Sequence, residues 1–105
     1  MTGKKLKQEF QNISKILASW EDDNMIFLFL RDLLSEKEIL EFSRRFQVAQ
    51  MLEKKISYTK IEKKTGMSST TIARISKYLN GKNYGYQKAI KTLKSISAKH
   101  HEAHT

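Results

Sequence analysis

The residues best placed to do chemistry are four hydroxyls, Ser68, Ser69, Thr70 and Thr71, and five cations, Lys60, Lys63, Lys64, Arg74 and Lys77. All lie in the stretch SYTKIEKKTGMSSTTIARISKYL that begins at Ser57. Hydroxyl, ammonium and guanidinium groups bond phosphate oxygens and the edges of bases. Catalysis would need other company. The chain has no motif marking a general acid or base, no Gly-rich phosphate loop and no nucleophile elbow. The chemistry expected of this segment is recognition of a polyanion, and no enzyme activity is expected.

Two short helices must hold these groups. Ser57 caps the first, whose inner face is Ile61. Thr65-Gly66 ends it, with Gly66 free to take the positive φ of a tight turn. Ser68 or Ser69 caps the second helix, whose inward residues are Ile72, Ile75 and Leu79, while Met67 wedges into the turn. Apolar residues before and after a central turn glycine are the packing requirement of a helix-turn-helix, here spanning 57–79. The second helix then turns Ser69, Thr70, Ala73, Arg74 and Lys77 outward, short at its N-terminal end and long and cationic beyond. A recognition helix entering the major groove by its N-terminus needs this order, because small residues let the backbone approach the bases. Lys60, Lys63 and Lys64 are placed to clamp the flanking phosphates.

The distribution of charge supports the same reading. The chain carries +9 overall. Residues 1–56 hold ten Lys/Arg against nine Asp/Glu, a net of +1, whereas residues 57–105 hold ten against only Glu62 and Glu102, a net of +8. A surplus confined to one segment is the footprint of a nucleic-acid binder. A solvated basic face would carry the same charge, so the asymmetry supports the reading without deciding it.

With no proline, no cysteine and four glycines in 105 residues, an all-α domain is expected over residues 1–98, with 99–105 as a disordered tail. Leu6, Phe10, Ile13, Leu17 and Trp20 recur at helical spacing, and the acidic stretch 21–24 ends that helix and offers a cap to the next. Met25 to Leu30 is apolar on every side, which so small a monomer cannot cover but a second subunit can. Ser35-Glu36-Lys37-Glu38 has the spacing of a capping box, so a helix of about 20 residues begins there. It carries the stripe Ile39, Phe42, Phe46, Ala49, Leu52 and Ile56 and a second of Leu40, Val48 and Met51. Asn80-Gly81 predicts a left-handed stop, and Gly85 a longer loop. A last amphipathic helix follows on Tyr86, Ile90, Leu93 and Ile96, with Lys88, Lys91 and Lys94 facing water.

From Leu34 to Leu79 the chain resembles the Trp repressor family, and more closely its YerC/YecD branch. The resemblance rests on LLSEKEILEFSRRFQVAQML, then Thr65-Gly66, Ser69-Thr70-Thr71-Ile72 and Arg74 in that order. It implies six-helix subunits intertwined as a homodimer, with the two helix-turn-helix heads projecting from a shared core. It further implies double-stranded DNA as partner and a roughly palindromic operator with half-sites one helical turn apart.

The resemblance also raises the question of tryptophan. In the family, tryptophan lies between the long third helix and the recognition helix, held by two arginines. Arg74 matches one, and Arg45 the other, with Arg44 as the alternative. Ile75 stands where the repressor has glycine and Tyr78 where it has a small hydroxyl residue, and both add bulk where an indole needs room. A small-molecule effector at Arg44, Arg45, Arg74 and Tyr78 is compatible with the sequence, but tryptophan is not expected there. The arginines also have a plainer use: Arg74 for phosphate, and Arg45 for Glu41 one turn earlier.

Other groupings carry less. His100, His101 and His104 lack the spacing of a zinc hydrolase, and no metal or cofactor is expected. Tyr58, Tyr78, Tyr84 and Tyr86 are expected to pack the heads onto the body rather than to stack on bases. The apolar runs are too short for a secretory signal or a membrane span, and the lack of cysteine suits the cytoplasm. The expected function is a dimeric, sequence-specific transcriptional regulator, most simply a repressor. Two rivals are a protein-interaction adaptor and a non-specific nucleic-acid binder using the same basic head.

Overall fold

The computed structural model describes residues 2–103. Among them are six α-helices and no strand: α1 (Gly3–Ser19), α2 (Asp23–Leu33), α3 (Glu36–Glu53), α4 (Tyr58–Thr65), α5 (Ser69–Leu79) and α6 (Gly85–Ala103). Helix starts follow the side chains able to satisfy free amides. The Thr2 hydroxyl accepts from Lys5 N–H at 3.2 Å, and the Asp22 carboxylate from Asn24 N–H at 2.9 Å. At α3 both halves of the capping box form. Glu38 N–H donates to Ser35 Oγ at 3.1 Å, and Ser35 N–H donates to the Glu38 carboxylate at 2.9 Å. The Ser35 backbone amide and then the Ser35 hydroxyl hold the Glu38 carboxyl below its ordinary value.

Where one domain over residues 1–98 is expected from sequence, the single chain divides into two compact units, residues 1–39 and 40–105. The first comprises α1, α2 and the first turn of α3. Trp20 and Phe29 meet edge to face in it, with centroids 5.7 Å apart, yet no residue of α1 or α2 is buried. Ile26, Phe29 and Leu30 are half-buried, while Leu6, Phe10, Met25, Phe27, Leu28 and Leu33 are exposed.

The second unit holds the core: Val48 and Ala49 of α3, Ile61 of α4, Ile72, Ile75 and Leu79 of α5, and Ile90 of α6. Phe46, Met51, Leu52, Ile56, Met67 and Tyr86 pack around it. Of the two stripes on α3, only the C-terminal half is covered; Leu40 and Phe42 stay exposed. The Lys94 ammonium does not simply face water but donates to the Glu53 carboxylate at 2.8 Å, tying α6 to the end of α3.

Four local expectations change. After α5, neither Asn80 (φ −93°) nor Gly81 is left-handed. The stop is made instead by the Asn80 side-chain amide, which donates to Ser76 O at 2.9 Å, and by Gly81 N–H donating to Tyr78 O at 3.2 Å. Glycine suits position 81 because a Cβ there would lie 3.1 Å from the Lys77 carbonyl oxygen. Gly85 does not prolong the loop; it is the first residue of α6. That helix runs on to Ala103, past the tail boundary expected at 98, while residues 104 and 105, including His104, lie outside the described residues. Finally, only Tyr86 packs on the core, and Tyr58, Tyr78 and Tyr84 are exposed.

Candidate nucleic-acid interface

The geometry of the head follows from its caps and its turn. The Ser57 hydroxyl accepts from Lys60 N–H and starts α4. Ile61 anchors that helix at 0% exposure, which leaves Lys60, Lys63 and Lys64 outward and exposed. Gly66 ends it at φ +73°, a left-handed conformation that costs a residue with a Cβ roughly 1–2 kcal/mol. Its N–H donates to Glu62 O at 2.8 Å. Met67 is half-buried against the core, as an apolar wedge in the turn should be.

Ser68, not Ser69, caps α5. Its hydroxyl accepts from Thr71 N–H at 3.2 Å and donates to Thr71 Oγ1 at 3.0 Å. These two hydroxyls are thus engaged in starting the helix. Ile72, Ile75 and Leu79, at 0%, 3% and 6% exposure, bury one side of α5. Helical geometry then turns Ser69, Thr70, Ala73, Arg74 and Lys77 to the opposite side, and all five are exposed. Lys77 stands in the last turn, where it also complements the helix dipole. The result is a face of small hydroxyls at the helix tip, cations behind, and three more lysines on the adjoining helix.

The residues of the expected effector pocket are less convergent. Arg45 pairs with Glu41 at 2.9 Å, one turn away on α3. Ile75 is committed to the core. Tyr78 lines an open cleft with Asn83, Gly85 and Tyr86. No hydrogen bond or ion pair among the described residues joins Arg44, Arg45, Arg74 and Tyr78. Nor do His, Asp and Glu side chains among the described residues form a group of three able to hold a metal. No helix among them is long and apolar enough to cross a membrane.

The family model of the Trp repressor protein matches residues 8–94, most of the chain. The protein belongs to the Trp repressor family. Among curated proteins it is 36% identical over 94 residues to the uncharacterized protein YerC of Bacillus subtilis, covering 90% of this chain and 86% of that one. Among solved structures it is similar to a TrpR-like protein from Eubacterium eligens at 36% identity and a TM-score of 0.80, covering 87% of this chain and 95% of the other. It is also similar to a candidate Trp repressor from Staphylococcus aureus at 27% identity and a TM-score of 0.80, covering 90% and 95%. Membership of the Trp repressor family points to a DNA-binding regulator, and within such a protein α4 and α5 are the head that carries the exposed cations and hydroxyls.

The sequence pattern missed one side chain of the head. Thr65, read only as the end of α4, is buried and hydrogen-bonded on both sides of its hydroxyl. A threonine just before a turn glycine, at an inward helical position, is the signal that would have found it.

Proposed function

We propose that this protein is a transcriptional regulator that binds a palindromic DNA operator as a homodimer, in its simplest form as a repressor. The observation that carries the reading is the exposed face of Ser69, Thr70, Ala73, Arg74 and Lys77 on a capped helix whose other side is buried. Ser69 and Thr70 meet base edges at the helix tip, Arg74 reaches guanine or phosphate, and Lys60, Lys63, Lys64 and Lys77 hold the backbone. Ser68 and Thr71 contribute by fixing the tip, with the Thr71 amide donated to Ser68 Oγ. A DNA partner places the work in the cytoplasm.

Dimerisation is supported by the apolar side chains that the single chain leaves in water. Phe27 and Leu28 are 52% and 53% exposed, and Leu6, Phe10, Met25, Leu33, Leu40 and Phe42 accompany them. A monomer rarely leaves so many large apolar side chains in water. Two heads about 34–36 Å apart would then read half-sites one helical turn apart.

Tryptophan is not the effector in this reading, because Ile75 and Tyr78 are bulkier than the residues the family has beside its indole. A thermal-shift screen against amino acids tests this, and a saturable shift with tryptophan would overturn it. Selection of bound sites from random DNA, at fixed salt, tests the function itself. A regulator yields a palindrome. Salt-dependent binding without a motif identifies a non-specific binder, and no binding even at low salt leaves the adaptor.

A further inference from the structure

Resting on the reading of α5 as a DNA-recognition helix, we infer that Thr65 is a positioning residue that sets the orientation of α5 against α4. Thr65 is the one buried polar residue among those described, at 5% exposure. Its hydroxyl donates to Ile61 O at 2.7 Å and accepts from Met67 N–H at 3.2 Å. One oxygen therefore ties the last turn of α4 to the residue beyond Gly66, across the single left-handed position of the turn. Only Gly66, Met67 and Ser68 separate the two helices, and Ser68 is the cap of α5.

Burial alone does not account for a hydroxyl here. An apolar side chain at an inward position of α4 would add to the core, whereas a buried hydroxyl contributes only what its hydrogen bonds return. What the hydroxyl adds is direction. Without it the Met67 amide loses its partner, and the link can pivot at Gly66, whose surroundings offer no steric stop. Base contacts tolerate displacement of the order of 0.5 Å or 10–20°, so a small pivot costs sequence discrimination before it costs phosphate contact.

The test compares Thr65→Val, which removes the hydroxyl, with Thr65→Ser, which keeps it. In the DNA-free protein, residual dipolar couplings report the α4–α5 orientation and amide exchange reports Met67. Thr65→Val is expected to change that orientation and to speed Met67 exchange about tenfold. Its affinity for the selected site should fall about tenfold while its affinity for random DNA stays within about twofold. Thr65→Ser should restore all of these. An unchanged orientation in Thr65→Val, an equal loss on selected and random DNA, or no rescue by serine would overturn the inference. If Thr65→Val does not fold, Thr65→Ala is read by the same measurements. If the unmodified protein selects no motif, the DNA reading fails by itself, and the DNA-free orientation still decides the role of Thr65.

Discussion

At the scale of single residues, the exposed side of α5 separates two kinds of contact. In the proposed interface Arg74 of α5 reaches a base edge or a phosphate, and Lys63 of α4 only phosphate. Replacing Arg74 by alanine is expected to weaken binding to the selected site by about 1–3 kcal/mol and to relax the motif at the position it reads. Lys63→Ala should weaken binding to all sequences alike and lower the slope of log affinity against log salt by about 1. Anisotropy titrations over a salt series distinguish the two, and an unchanged motif in Arg74→Ala would remove it from base recognition. Glu38 gives a prediction in pH. Its carboxyl is held below the ordinary value of 4.5 by the backbone amide and then the hydroxyl of Ser35. Because the folded protein lowers that value, the stabilisation is present above 4.5 and is lost as pH falls through the lowered value. Thermal unfolding followed by circular dichroism should therefore show a flatter acid limb in Glu38→Gln. Both partners of the capping box were legible as an S-x-x-E pattern, because that interaction is local.

At the scale of elements, the ends of helices decide where the chain turns. The end of α3 carries a left-handed residue that is not glycine, Lys55 at φ +64°. Lys55 N–H donates to Leu52 O at 2.9 Å and Ile56 N–H to Met51 O at 3.1 Å, the paired bonds of a Schellman motif. Lys55→Gly should relieve the Cβ clash and, after the larger entropy of the unfolded chain, stabilise the fold by roughly 0.5 kcal/mol. Urea denaturation measures it, and a destabilised variant would show that the lysine stem contributes packing that outweighs the strain. This stop was not legible, since no residue type announces it; the carbonyls of Met51 and Leu52 impose it once α3 packs. The converse happened at Asn80-Gly81, where residue types suggested a left-handed stop that side-chain capping and a close carbonyl replaced.

At the scale of the whole molecule, the core is small and lies wholly within residues 40–105. The α1 stripe and the apolar run of α2 both lie on helices, yet among the described residues neither helix has a fully buried side chain. A second copy is the occupant expected, which makes stability depend on protein concentration. Sedimentation should find a dimer whose melting temperature rises with concentration. Leu28→Glu, on the exposed side of α2, should yield a monomer that no longer binds the palindrome tightly. A stable monomer from the unmodified chain would overturn the dimer.

Sequence alone determined the helices, most of their caps, the buried side of α5 and hence its exposed one. Those features follow from interactions within three or four residues and from apolar periodicity, which the linear pattern contains. Only the tertiary structure decided that Thr65 bridges the turn, that Lys55 is left-handed, that Lys94 reaches Glu53 across 41 residues, and which apolar stripes a single chain can cover. The last two depend on groups distant in sequence, of which a pattern of neighbours holds no record; the bonds of Thr65 and Lys55 span only two to five residues, and they follow from how the ends of α3 and α4 are placed.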